Sequence, residues 1–149
     1  MTEIRITKIF HFEMAHALIN YQGLCQNIHG HSYQLEVTVK GNIHYHEHTS
    51  KKGMVMDFSD LKDIVENEII KHYDHTLILN TQTDPDLIQA LKKNYKNISI
   101  VDYQPTSEQL LVDFAGKLQA KLPPYVSLYR LKLSETQNSF AEWVADDNK

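Results

Sequence analysis

Apolar and polar residues alternate along this chain with two different periods, and the change of period divides it into elements. From residue 3 to residue 12, Ile4, Ile6 and then Ile9 are interleaved with charge. From 31 to 41 the alternation is cleaner, with Tyr33, Leu35, Val37 and Val39 on one face. Both segments are expected to be strands, because successive side chains of an extended backbone point to opposite faces. Beyond residue 58 the period lengthens. Leu61, Ile64, Val65 and Ile69 recur at three- and four-residue steps, which predicts a helix capped by Ser59 and reaching about His72. Asp84-Pro85 offers an N-cap followed by Pro at the first helical position, so a shorter helix carrying Leu87, Ile88 and Leu91 is expected there. Thr106 and Gln109 have capping-box spacing ahead of Leu110, Leu111, Phe114 and Leu118, a second long amphipathic helix that must stop before Pro123-Pro124. Two closing strands, 126–135 and 140–145, flank the polar turn Thr136-Gln137-Asn138-Ser139. Strand, strand, helix, helix, strand, strand, with a small helix between the long ones, is an α+β order. No repeat or linker divides it, so residues 1–149 are expected to form one domain.

Composition narrows the function classes. With 149 residues, 42% of them hydrophobic, and only 5 Gly and 4 Pro, the chain can build one core and has no collagenous or disordered character. A formal charge of -4 gives no overall field for nucleic acid or an anionic membrane, so an anionic small molecule would have to meet a local basic patch. The single cysteine cannot close an internal disulfide, and the first twelve residues lack the apolar block of a signal peptide. No stretch approaches the roughly 18 apolar residues of a membrane span. A cytoplasmic location follows as the expectation.

The chemistry concentrates in histidines. His29-Gly30-His31 projects two imidazoles from one face of an extended backbone, and the glycine leaves room between them. His16, at the end of the first strand, would come beside them if the first two strands pair antiparallel. Three neutral imidazoles leave one position of a tetrahedral zinc open, the arrangement of catalytic sites, whereas a solvated turn with two exposed rings is the plainer alternative. Cys25 has three readings: a thiolate of lowered pKa, a fourth zinc ligand, or a small buried hydrophobe. Asp74-His75 could act together in proton transfer or simply cap a helix C-terminus. Glu135 could accept paired hydrogen bonds from an amide-like N–H and a neighbouring amino group, or be solvated. His44, His46 and His48 also alternate, but their highly polar segment reads as a solvated hairpin end rather than a second metal site.

Six segments taken in order resemble the 6-pyruvoyl-tetrahydropterin synthase family: 10–16 (FHFEMAH), 25–31 (CQNIHGH), 53–58 (GMVMDF), Asp74-His75, 105–108 (PTSE) and 134–136 (SET). They span nearly the whole chain. The resemblance implies the tunnelling fold, a four-stranded antiparallel sheet carrying two long helices on one face, with oligomerisation closing a barrel. The spacing Cys-x-x-x-His-Gly-His is most similar to the bacterial 6-carboxytetrahydropterin synthases of queuosine (7-deazaguanine) biosynthesis, while animal-type pyruvoyl enzymes set the Cys farther away. Residues 81–103 are longer than in compact members.

What the resemblance implies about roles is specific. His16, His29 and His31 would hold zinc, Cys25 would accept a proton, Asp74 and His75 would relay protons, and Glu135 would anchor a pterin with Thr106 and Glu108 nearby. The implied substrate is 7,8-dihydroneopterin triphosphate, the implied products are 6-carboxytetrahydropterin, acetaldehyde and triphosphate, and the implied assembly is a homohexamer built as a dimer of trimers. A pyruvoyl-type synthase and a catalytically silent metal- or pterin-binding module of the same fold are the competing readings.

Overall fold

A computed structural model describes residues 2–44 and 50–149. Six strands form one sheet in the order β4-β3-β1-β2-β5-β6. Strands β1 (Glu3–His16) and β2 (His29–Asn42) pair antiparallel along their whole lengths, from Glu3 opposite Asn42 to His16 opposite His29. Strands β5 (Val126–Thr136) and β6 (Ser139–Val144) extend the sheet antiparallel from β2. These are the four strands that the alternation predicts. The expected four-stranded antiparallel sheet is nevertheless incomplete, because two short parallel strands extend it beyond β1. Strand β3 (Thr76–Asn80) pairs with only the last three residues of β1, and β4 (Ile98–Val101) pairs with β3. The sheet is therefore mixed. The segment called long at 81–103 contains a helix and supplies β4.

Two helices contribute their buried stripes to the core on one face of the sheet. Helix α1 (Phe58–Val65) continues through a π-helical segment (Glu66–Ile70) into the final turn α2 (Lys71–Tyr73). Its cap is Asp57 rather than Ser59: the Asp57 carboxylate accepts from the Ser59 amide at 2.8 Å, satisfying one of the helix's orphan donors and placing Ser59 inside the first turn. The π segment changes the phase of the buried stripe, so adjacent Ile69 and Ile70 both face inward, followed by Tyr73. Helix α3 (Pro85–Asn94) begins at the expected Asp84 cap, with no buried residue of its own. Helix α4 (Ser107–Gln119) starts at Thr106, whose hydroxyl accepts from the Gln109 amide.

The core fills the space between sheet and helices. Phe10, Phe12 and Met14 of β1 alternate inward opposite Tyr33, Leu35, Val37 and Val39 of β2, and they meet Leu61, Val65, Leu110, Phe114 and Leu118. Phe12 stacks on Tyr33 at 5.2 Å, while Phe114 meets Phe12 and Tyr73 edge-on. Strand β5 changes parity within this layer. Val39 pairs with Leu128 but Thr38 pairs with Arg130, so Tyr129 is an extra residue. Inward positions consequently move from Val126 and Leu128 to Leu131 and Leu133. His44 caps the far end of β2, its ring edge-on to Tyr125 at 5.0 Å; His46 and His48 lie outside the described residues.

Candidate active site

The antiparallel ladder builds the histidine cluster directly. His16 ends β1, His29 opens β2, and the register pairs them; His31 sits two residues along β2 on the same face, opposite Met14. Their ligand-capable atoms all lie within 4.8 Å of one another, and among the described residues this is the one cluster suited to a metal ion. His16 donates from Nδ1 to the Pro105 carbonyl at 2.6 Å, and His29 donates from Nδ1 to the Asn27 carbonyl at 2.7 Å. Those bonds fix both tautomers and turn both Nε2 lone pairs toward each other, 3.1 Å apart. Two acceptors cannot satisfy one another. His31 adds a buried Nε2 with no hydrogen-bond partner among the described residues. A cation at the focus of these three nitrogens removes both conflicts, so the residues fit a metal. Burial, reinforced by the neighbouring rings, holds the His16 pKa below its usual value despite the opposing pull of the Pro105 bond and Glu135, and burial does the same for His31. Both therefore present neutral imidazole at neutral pH, the form that binds metal.

Beside the cluster stands Glu135. The β5 bulge at Tyr129 puts it on the histidine face, and a second irregularity leaves it unpaired toward β6, where Ser134 faces Phe140 and Thr136 faces Ser139. Bulges of this kind re-aim side chains next to functional sites. Ser107, buried at the start of α4, donates its hydroxyl to Glu135 Oε1 at 2.8 Å, and Glu135 Oε2 lies 4.0 Å from His31 Nε2. Cys25 occupies a short 3-10 turn, Leu24–Gln26, whose carbonyl accepts from the Leu18 amide at 3.0 Å. Its thiol is half-buried and does not join the three-histidine cluster, so nothing in the geometry makes it a fourth ligand.

The family model described as 6-pyruvoyl tetrahydropterin synthase matches residues 5–146. The chain belongs to this family. Within it, the chain is 35% identical over 141 residues to a Haemophilus influenzae protein named 6-carboxy-5,6,7,8-tetrahydropterin synthase, with 93% of this chain and 97% of the relative covered. A Synechocystis protein of the same name is 32% identical, with 94% and 92% covered. Among solved structures, an uncharacterised protein from Wolinella succinogenes superposes with a TM-score of 0.78 at 19% identity, covering 97% of this chain and 99% of its own. The 6-pyruvoyl tetrahydropterin synthase of Caenorhabditis elegans gives 0.67 at 21% identity, with 97% of each chain covered. At those identities the two structures speak for the family fold alone.

Asp74 and His75 form a dyad where α2 gives way to β3. Asp74 Oδ1 accepts from the Glu13 amide at 2.9 Å and from His75 Nδ1 at 3.0 Å. Burial opposes ionisation of Asp74, but these hydrogen bonds outweigh it and hold its pKa below the usual carboxylate range. His75 has a left-handed backbone, φ 56°, which is uncommon for a residue with a side chain, and its amide donates to the Glu13 carbonyl at 2.6 Å. The ring is 73% exposed beside an open cleft of about 780 Å³ that is also bordered by Ser32, Leu91, Tyr95 and Asn97. Among the described residues no hydrogen bond or ion pair joins this dyad to Cys25. Of the two other residues singled out beside the pterin, Thr106 spends its hydroxyl on capping α4 and Glu108 is exposed. Ser107, between them, is the one that reaches Glu135, and neither it nor the Pro105 and Asn27 carbonyls announced itself by residue type.

Proposed function

We propose that this chain is a zinc-dependent 6-carboxy-5,6,7,8-tetrahydropterin synthase, a carbon-oxygen and carbon-carbon lyase that converts 7,8-dihydroneopterin triphosphate and water to 6-carboxytetrahydropterin, acetaldehyde and triphosphate. On this reading it serves queuosine (7-deazaguanine) biosynthesis in the cytoplasm. The observation that carries the chemistry is the focus of three imidazole nitrogens, two with fixed tautomers, beside a carboxylate held by Ser107. The branch is carried by the name of relatives that are 32 and 35% identical over nearly the full lengths of both chains.

Each side chain has a task in this scheme. Glu135 accepts the paired N–H groups of the pterin's amino-pyrimidine edge, and Ser107 keeps one carboxylate oxygen in place. That fixes where the substrate's side chain falls. His16, His29 and His31 would hold zinc with an open fourth position. The chemistry a bound zinc supplies is Lewis-acid polarisation of the side-chain hydroxyls, which acidifies the neighbouring C–H. Cys25 is the base that removes that proton. His75 gives its Nδ1 proton to the hydrogen bond with Asp74, so Nε2 is the nitrogen left to exchange protons with a ligand.

The dyad and Cys25 have no contact within one chain, and this motivates a homohexamer, a dimer of trimers, in which His75 of one copy serves Cys25 of another. Among the described residues β1 has no second partner strand before Met14, and β6 is an unpaired edge. Leu24, beside Cys25, is 88% exposed. Unpaired edges and exposed apolar groups are features that association covers. Incubation with dihydroneopterin triphosphate and identification of the products tests the proposal: acetaldehyde together with 6-carboxytetrahydropterin is expected. A pyruvoyl product without acetaldehyde would move the chain to the other branch, and unchanged substrate would remove the enzymatic reading.

A further inference from the structure

Tyr33 lies against the histidine cluster and has been given no role. Its side chain is fully buried, yet its hydroxyl has no hydrogen-bond partner among the described residues. The ring is well fixed: it stacks on Phe12 with planes 8° apart, and it stands edge-on to His31 at 5.4 Å and to His16 at 6.3 Å. Such a hydroxyl is a standing cost, because in the unfolded chain it would bond to water. Native proteins seldom leave a buried donor orphaned without a functional reason.

Its cross-strand neighbour supplies one. Gln34 pairs with Ser134, so one rung further in the same register Tyr33 faces Glu135, both on the core side of the sheet. Glu135 Oε1 is occupied by Ser107, whereas Oε2 accepts no hydrogen bond among the described residues. An orphan donor and an open acceptor thus stand opposite each other across β2 and β5. We propose that Tyr33 is a positioning residue for pterin recognition, whose hydroxyl donates to the open oxygen of Glu135 when the ligand draws the carboxylate into place. This rests on Glu135 being the pterin anchor.

The test exploits two effects of opposite sign. In Tyr33→Phe, the zinc content should be unchanged, and the metal-free, ligand-free protein should melt at the same temperature or higher, since an unsatisfied hydroxyl has been removed. Affinity for fluorescent pterin-6-carboxylate should fall about 10-fold, which is ~1.4 kcal/mol, and turnover should suffer through KM rather than kcat. Glu135→Gln supplies the second background. If the hydroxyl acts through the carboxylate, adding Tyr33→Phe to Glu135→Gln costs no further affinity. A melting temperature several degrees lower with unchanged pterin affinity would make Tyr33 a packing residue, and an equal loss in both backgrounds would show that it does not act through Glu135; either overturns the proposal alone. If Glu135→Gln by itself binds the pterin as tightly as the native protein, the anchor assignment fails and this proposal falls with it.

Discussion

Replacing His29 and His31 together by alanine isolates the metal from the fold. Both are partly exposed at the start of β2, outside the apolar core, so their truncation removes little packing. It also relieves a conflict, because His16 and His29 no longer aim their Nε2 lone pairs at each other across 3.1 Å. The metal-free double variant should therefore stay folded with a melting temperature close to that of the metal-free native chain. Only His16 is left as a ligand, still tied to the Pro105 carbonyl.

The difference appears when zinc is added. A ligand present at 100 times its dissociation constant stabilises the folded state by about 2.7 kcal/mol. For a chain of 149 residues, one kcal/mol moves the melting temperature by roughly 3 °C, which predicts a rise of about 8 °C for the native protein. The double variant should show almost none. Scanning fluorimetry with and without zinc, at fixed protein concentration after chelation, measures both, and elemental analysis should give about one zinc per native chain. Full zinc occupancy in the double variant, or the same thermal shift, would refute the assignment. Iron or nickel in the native protein would refute only the choice of metal.

Cys25→Ala should retain zinc and lose turnover, since Cys25 stands outside the metal cluster; loss of the metal would make it a ligand. Phe114→Ala removes a fully buried ring that touches Phe12 and Tyr73, and should cost about 3–5 kcal/mol, or roughly 10–15 °C, in a thermal melt. Acid should destabilise the metal-free protein in a defined window. Burial lowers the pKa of His16 and His31 from 6.5, so below that pH the unfolded chain takes up protons that the folded chain resists, and stability falls as pH drops; a denaturation midpoint that is flat from pH 7 to 5 would contradict it. Mixed hexamers of Cys25→Ala and His75→Ala chains should recover activity that neither parent has, and no recovery in verified mixtures would place the site within one chain.

The parts of the fold that obey a regular period were readable in advance. Strands β1, β2, β5 and β6 follow from alternation, and α3 and α4 from an Asp-Pro start and a capping box. Strands β3 and β4 did not follow, for a physical reason. The segments 76–80 (TLILN) and 98–101 (ISIV) are short and parallel, and short apolar runs carry no period that separates a strand from the end of a helix. The displaced cap is a smaller case of the same kind. Asp57 and Ser59 are both good capping residues two positions apart, and which one bonds the exposed amides is decided by where the preceding chain turns.

The same distinction runs through the site. The histidines were legible because they depend only on a regular ladder: residues two apart on β2 share a face, and pairing end to end brings His16 to His29. Glu135 is different, since its direction is set by irregularities in two ladders. If β5 kept step with β2 past Leu128, the inward positions would continue as Arg130, Lys132 and Ser134, and Glu135 would point away from the histidines. The extra residue at Tyr129 reverses that parity, and the break opposite β6 frees Glu135 from pairing. No glycine or proline marks either position, so nothing local signals the change. The three histidines are thus set by short-range pairing, while the carboxylate beside them is aimed by a register defined only once three strands have come together.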